Sequence, residues 1–420
     1  MARMSAGSAG GARARLLLLT NYERTRPDGP RDFHLERTRA LLERLGRPDL
    51  RLGGAVAQVA GTKGKGSVAR FLDAIYRAAG RRTGRFLSPH LERIEERICL
   101  DGDPLPAEAF DRHAATVLQA DPGGLTFFEA TLGIACLAFA EARVEATVLE
   151  VGLGGRLDAT TAVPVTRTVV TQISFDHMEL LGGTLRAIAT EKAGIARQGV
   201  PLVSGVDPAS EPGRVIADRA ASLGAPYRYV PPPPTEPAGL SGVRWNHLLL
   251  PVLGVHQGHN AALAAAVADD VEPAAARRGL LSARHPACCE YFPGPPPALL
   301  DGAHNDASIA ATLRALADHL PGARPALLFA VAGDKDRDAI VRLLAPAAGP
   351  VVCTRADMRR GVEAEELARH PAWSDRALAV ADPAAALARA RALAGSGGLV
   401  LVTGSLYLAG AIRPLLRAGA

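Results

Sequence analysis

The sequence predicts an α/β protein of two domains, and three observations carry that prediction. An apolar run, Ala55–Ala60, passes through a glycine-rich turn at 61–66 into a segment from Ser67 where Val68, Phe71, Leu72, Ile75 and Ala79 recur at helical spacing. Two more buried runs, 146–151 and 168–173, read as strands that end in polar residues. From about Ala298 the pattern restarts: a strand to Leu300, the loop Asp301-Gly302-Ala303-His304-Asn305, and a helix from Ser308. Four strand-and-helix alternations follow at 326–331, 350–354, 377–381 and 398–403, which is a second α/β domain with its own parallel sheet. The expected division is 1–282 and 283–420.

Composition narrows the class. The chain has 420 residues, enough for two cores, with 48% apolar and 22% charged residues as in soluble globular proteins. A formal charge of +5 suits anionic small substrates, and no aromatic-interleaved basic face points to nucleic acid. The five cysteines, Cys99, Cys136, Cys288, Cys289 and Cys353, lack zinc spacing, and their odd number argues against a disulfide framework. The apolar run 16–19 is too short for a signal segment, and no run of about 18 apolar residues exists. A reduced, cytoplasmic protein that enters no membrane is expected.

In chain order, residues 1–15 are Ala/Gly/Arg-rich and are expected to fray. Asp32 can cap a helix over 33–45, with Leu35, Leu41, Leu42 and Leu45 on one face and Gly46 as its stop. After the helix that follows the glycine turn, Ser88-Pro89-His90 breaks the pattern behind a short strand and predicts a loop beside the site. Thr126-Phe127-Phe128-Glu129 opens an apolar helix through Ala142, with both phenylalanines expected in the core. The strand 146–151 carries Glu150 at its end, followed by GLGGRLDAT. The strand 168–173 leads into Ser174-Phe175-Asp176-His177 and then a helix carrying Lys192. A strand at 200–206 precedes the proline-rich surface elbow at 231–234, and His256, Gln257 and Asn260 precede an alanine-rich helix.

The glycine turn holds the most chemistry. Strand, glycine turn, helix is the geometry that aims backbone N–H groups and a helix N-terminus at an anion. Lys65 adds a point charge for a phosphate, and Ser67 can reach a divalent metal. The turn is not a literal Walker A, because two residues separate Gly61 from Gly64 and Gly66 stands between lysine and serine. Only four of the 48 basic residues are lysine, namely Lys63, Lys65, Lys192 and Lys335, so lysine persists where arginine's fork does not serve. Glu150, at the end of a parallel strand before a glycine-rich loop, can hold magnesium beside a nucleotide.

Read together and in order, AGTKGKGS, SPHLERIEERI, EVGLGGRLDAT, SFDHMELLGGTLRAIATEKAGI, HQGHNAAL, DGAHN, GDKD and GSLYL resemble the folylpolyglutamate synthase and dihydrofolate synthase family of the Mur ligase superfamily. The resemblance covers nearly the whole chain. It implies an N-terminal Mur-ligase-type P-loop ATPase domain, a C-terminal Rossmann-like domain, and ATP bound between them. It implies an ADP-forming ligase that joins a carboxylate to the amine of L-glutamate through an acyl phosphate, with folate or pteroate as the carboxylate. Under it Gly61, Thr62, Lys63, Gly64, Lys65, Gly66 and Ser67 cradle ATP, Ser67, Ser88, Glu150 and His177 hold magnesium (two ions), and Lys192 is the lysine that carbon dioxide carbamylates. Asn260 would face the adenine, Asp301 the ribose, and His304 the nucleotide from the second domain. A monomer is expected. Lys65, Lys192 and His177 are the implied catalytic groups.

Three departures stand out against that pattern. Lys63 replaces a common asparagine, and Asp306 replaces a usual proline after Asn305. The third is Pro286-Ala287-Cys288-Cys289-Glu290, where the family's phosphate-contacting arginine aligns with Cys288. Arg284, four residues upstream, is the expected substitute and is added to the catalytic set. A Mur-type amide ligase for a non-folate carboxylate, or a weakened nucleotide-binding paralogue, stays open as an alternative.

Overall fold

The computed structural model describes residues 6–22, 33–356 and 361–419. The chain forms two compact units: Met1–Pro233 with His259–Ala283, and Pro234–Gly258 with Arg284–Ala420. The expected boundary at 282/283 therefore falls beside a real one, but 234–258 leaves the N-terminal domain to which 1–282 had assigned it. The reason is local. Thr235–Pro237, Val243–Trp245 and Leu248–Leu250 pair as a small antiparallel sheet. His319 of the second unit then anchors the segment, accepting from the Gly254 N–H at 2.9 Å and facing the Gly239 carbonyl at 2.7 Å.

The first unit is an eight-stranded sheet made of β1 (Ala55–Ala60), β2 (Thr83–Phe86), β3 (Ile98–Leu100), β4 (Asp103–Pro104), β5 (Ala146–Glu150), β6 (Arg167–Val170), β7 (Leu202–Ser204) and β8 (Tyr227–Tyr229). Its order is β4-β3-β2-β5-β1-β6-β7-β8. All neighbours run parallel except the β3 and β4 edge. Every residue of β1 and β5 is buried, as parallel strands covered on both faces require. One face packs Leu41, Leu42, Phe110, Phe127 and Phe139, and the other packs Val170, Ile195, Leu202 and Ile216. The chain leaves β1 toward β2 on one side and reaches β6 on the other. The carboxyl ends of β1, β5 and β6 thus meet at the point where the connections diverge, where open α/β sheets bind ligands.

Several expectations need correction here. Residues 1–15 do not fray over their length: Ala6–Leu17 is a helix, with Leu16 fully buried. Arg13 explains part of this, since it bridges Glu95 and Asp111 at 2.7 Å each and lies over the Phe110 ring. The helix expected at 33–45 is Leu35–Arg44 with His34 as its cap position, and the Asp32 cap lies outside the described residues. The strands expected at 168–173 and 200–206 are the shorter Arg167–Val170 and Leu202–Ser204.

The second unit contains a six-stranded sheet in which Glu290–Phe292 is an antiparallel edge strand on Ala298–Leu300. Val400–Thr403, Ala326–Phe329, Val351–Cys353 and Ala377–Ala379 continue it in parallel. Five of the six match the restart read from the sequence, and the edge strand Glu290–Phe292 was not foreseen. Its core sets Phe329 against Trp373, whose indole N–H donates to the Leu367 carbonyl at 3.0 Å.

Candidate active site

The glycine turn joins β1 to the helix Lys65–Ala78. Gly61 has φ +144°, and a Cβ there would stand 1.9 Å from Thr171 Oγ1 at the end of β6. Thr171 uses that hydroxyl to donate to the Lys63 carbonyl at 2.5 Å. Thr62 donates its N–H to the Gln172 carbonyl at 2.7 Å, and the Ser174 N–H donates to its hydroxyl at 3.2 Å. Gly64 caps the helix at φ +84°, and a Cβ would come within 2.5 Å of Asn260 Oδ1. Asn260, buried on the helix His256–Val267, therefore lies directly against the turn. Both glycines are required by positive φ and by close neighbours.

Two lysines converge below the turn. Lys65 donates Nζ to the carbonyls of Gly61 at 3.0 Å and Thr62 at 3.4 Å. Lys192, buried on the helix Leu185–Ala193, donates Nζ to the same Gly61 carbonyl at 3.1 Å. Burial, reinforced by repulsion from Lys65, pulls the Lys192 ammonium down to about 7. Lys63 is half-buried in the turn itself.

Glu150 closes the other side. It is buried at the end of β5, and its Oε2 accepts the Ser88 N–H at 3.1 Å from the Ser88-Pro89 loop. Its Oε1 lies 3.6 Å from where a Gly66 Cβ would be, beside the first helical turn that carries Ser67. Burial pushes its carboxyl upward, opposed chiefly by Lys65. A buried carboxylate with one oxygen turned to the start of the helix that carries Ser67, and the other on the backbone of Ser88, is an oxygen donor that fits a hard divalent cation. His177 starts the short helix Met178–Leu181 on its own loop, with its side chain 51% exposed and 3.8 Å from Asp176. Among the described residues no three His, Cys, Asp or Glu side chains converge to form a metal cage by themselves.

Sequence reasoning missed the group that shapes the loop after Glu150. Asp158 is buried, and its Oδ2 accepts the N–H groups of Gly152 at 2.9 Å and Leu153 at 3.1 Å. Its Oδ1 accepts from the Thr160 N–H at 3.0 Å and hydroxyl at 2.5 Å. Gln58 of β1 donates to the hydroxyls of Thr160 and Thr161 at 2.9 Å each, tying this loop to the central strand. The Asp-Ala-Thr spacing was the available signal, since Asp bonding its own backbone two residues on is a common turn device.

In the second unit Asp301 ends the strand Ala298–Leu300 and is fully engaged. Its oxygens accept from the Cys289 N–H at 2.7 Å, Cys289 Sγ at 3.2 Å, the Ala303 N–H at 2.8 Å and the Thr312 hydroxyl at 3.0 Å. Four donors occupy the lone pairs of this carboxylate, so its evident work is to hold the turns around 287–289 and 301–303. His304 faces the Gly302 carbonyl at 2.9 Å, and Asn305 caps the next helix through Ser308, so Asp306 in place of proline is accommodated. Cys288 Sγ accepts from the Gln257 amide at 3.2 Å, and Arg284 is exposed at the start of this unit. The structure thus gathers the residues expected at 61–67, Ser88, Glu150, Lys192 and Asn260 around one turn in the first unit. Asp301, His304 and Arg284 lie in the second.

Fold and site together are those of a Mur-type ligase: residues 59–202 match the Mur ligase middle domain, and 289–406 match the Mur ligase glutamate ligase domain. The chain is 31% identical over 416 residues to the dihydrofolate synthase/folylpolyglutamate synthase of Bacillus subtilis, covering 91% of this chain and 95% of that one. The structure of E. coli FolC in complex with DHPP and ADP superposes with a TM-score of 0.83 at 31% identity, covering 97% and 98% of the two chains. A Yersinia pestis bifunctional folylpolyglutamate synthase/dihydrofolate synthase complexed with AMPPNP and Mn ion gives 0.83 at 29% identity, covering 99% and 100%. A Haloferax volcanii protein, a probable bifunctional folylpolyglutamate synthase/dihydropteroate synthase, is 35% identical over 404 residues, but this chain, with 89% of its residues matched, spans only 47% of its length. The chain belongs to the folylpolyglutamate synthase and dihydrofolate synthase family of the Mur ligase superfamily.

Proposed function

We infer that this chain is an ATP-dependent, ADP-forming ligase that adds L-glutamate to a folate, acting on tetrahydrofolate, on dihydropteroate, or on both. The observation that carries the reading is the end-to-end match to the B. subtilis enzyme combined with a glycine turn whose Gly61 carbonyl takes both Lys65 and Lys192 and whose helix starts beside the buried Glu150.

A carboxylate is a poor acyl donor, and transfer of the γ-phosphoryl group supplies a leaving group. The barrier is dominated by repulsion between anions, so fixed positive charge is the expected catalyst. The 61–67 turn binds and orients the phosphates through backbone N–H groups, and Lys65 neutralises them. Asn260, packed on the turn, faces the base; in the second unit His304 and Arg284 are the candidate nucleotide groups, Arg284 in place of the cation that Cys288 cannot supply, while Asp301 holds the turns around them. Glu150, with Ser67, Ser88 and His177, would hold magnesium, which supplies charge neutralisation of the phosphoryl oxygens. Lys192, held partly neutral by its burial, is suited to take up carbon dioxide as a carbamate, an oxygen anion that arginine cannot provide. Phosphoryl transfer from ATP to the substrate carboxylate leaves ADP, and the amine of glutamate then attacks the acyl phosphate, losing a proton as the amide forms and inorganic phosphate departs. The chain acts as a cytoplasmic monomer, and among the described residues no helix is long and apolar enough to cross a membrane.

Complementation tests the reading. A strain lacking its folate ligase should grow without folate end products when it carries this chain. No growth despite soluble expression would remove the folate assignment and leave a ligase for another carboxylate.

A further inference from the structure

The face of the helix Lys65–Ala78 that starts at Gly66 continues, one turn apart, through Arg70, Asp73 and Arg77. Two of these charges are satisfied inside the protein. Asp73 accepts from Arg85 at 2.6 Å, from the Thr83 hydroxyl at 2.6 Å and from Arg77 at 3.3 Å. Arg70 differs. It is half-buried between Glu150, Glu96, Arg85 and Cys99, close enough for their fields to reach it, yet it makes no hydrogen bond or ion pair with any of them. The carboxylates beside it are already used. Glu96 accepts the N–H groups of Leu91, Glu92 and Arg93, and Glu150 Oε2 accepts that of Ser88.

A guanidinium carries five donors in a planar fork shaped for a carboxylate. In its half-buried position no group among the described residues takes up these donors, so they stand ready for water or for a ligand that supplies acceptors. Burial and the nearby Arg85 pull the Arg70 guanidinium down to about 10, against the opposing fields of Cys99, Glu150 and Glu96. Its place narrows which anion it serves. The phosphates belong at the 61–67 turn, while Arg70 lies a full helical turn further on, toward Glu150 and the Ser88-Pro89 loop. The other anion that the proposed reaction must bring to that spot is the carboxylate to be phosphorylated. We propose that Arg70 binds the carboxylate of the acyl substrate and holds it beside the transferable phosphate. This rests on the folate-ligase reading above.

The test measures equilibrium binding, without turnover, of dihydropteroate and of its analogue lacking the benzoate carboxyl group, to the wild-type chain and to Arg70→Met and Arg70→Lys. Wild type should prefer the carboxylate by on the order of tenfold to a hundredfold. Arg70→Met should bind both ligands about equally, and Arg70→Lys should keep part of the preference. In steady state, KM for the acyl substrate should rise in Arg70→Met with KM for ATP unchanged. Undiminished preference for the carboxylate in Arg70→Met would overturn the assignment of Arg70 alone, as would a rise confined to KM for ATP, which would move Arg70 to the phosphates. Wild type that bound neither ligand would overturn the folate reading and this inference with it. Circular dichroism checks that each variant is folded, and Arg70→Lys carries the test should Arg70→Met not be.

Discussion

Lys65 and Lys192 donate to the same acceptor, the carbonyl of Gly61, at 3.0 and 3.1 Å. One carbonyl cannot compensate two ammonium groups in a buried place, and the deeper of the two gives way: Lys192 is drawn down to about 7 while Lys65 stays at the rim of the turn. This juxtaposition would couple the phosphate binding proposed for the turn to the protonation of Lys192.

Removing Lys65 should abolish ligation without unfolding the chain, because its side chain bonds only to backbone carbonyls of its own turn. Lys65→Ala should lose at least a hundredfold in turnover with an unchanged thermal midpoint. Activity within about threefold of wild type, on the order of 0.7 kcal/mol of barrier, would contradict the role.

Lys192→Arg should fail as badly as Lys192→Ala, since arginine keeps a positive charge where a carbamate would place an anion. A short acid such as acetate should restore part of the activity of Lys192→Ala. Normal turnover by Lys192→Arg would rule the carbamate out.

Stability should also depend on Lys192 in a definite pH window. Its pKa in the folded chain is about 7 against an ordinary 10.5, so between these values the unfolded chain binds a proton that the folded one does not. Stability therefore rises with pH across that window, by up to a few kcal/mol, and the penalty is fully present below about pH 7. In buffers free of carbon dioxide, urea midpoints at pH 7 and pH 9.5 should differ more for wild type than for Lys192→Met. Equal slopes would show that Lys192 does not titrate there.

Asp158→Asn should misshape the loop behind Glu150, because an amide NH₂ would face N–H donors that the carboxylate now accepts. A loss of about 2–4 kcal/mol in urea unfolding is expected from the buried, multiply bonded carboxylate. A loss below about 0.5 kcal/mol would mean that the loop holds its shape without Asp158.

At the second unit's departure, Arg284→Ala should cut turnover at least tenfold and Cys288→Ser should be nearly silent, a hydroxyl being able to accept from Gln257 as the thiol does. A gain in ATP turnover from Cys288→Arg would favour a weakened paralogue.

Much of this site was legible because it lies in contiguous segments. A strand, a glycine turn and an amphipathic helix are local patterns, so the residues at 61–67, Glu150 and Lys192 could be found from spacing and residue type. What could not be read was side-chain pairing across the fold. Thr171 against Gly61, Gln58 against Thr160 and the unpaired Arg70 depend on which strand ends lie side by side, and no local pattern states that. The helix at Ala6–Leu17 escaped for a similar reason, since Arg13 is held by Glu95 and Asp111, distant in sequence. The segment 234–258 was misassigned because the tie through His319 skips over an entire helix of the first unit.

The central claim is glutamate ligation to a folate driven by ATP, and product analysis tests it most directly. Purified chain given ATP, magnesium and L-glutamate should release ADP in step with a product one glutamyl residue heavier than the substrate. This should hold with dihydropteroate, with tetrahydrofolate, or with both, and ADP should not form when the acyl substrate is omitted. ADP release that ignores both folate substrates, with no glutamylated product by mass spectrometry, would contradict it.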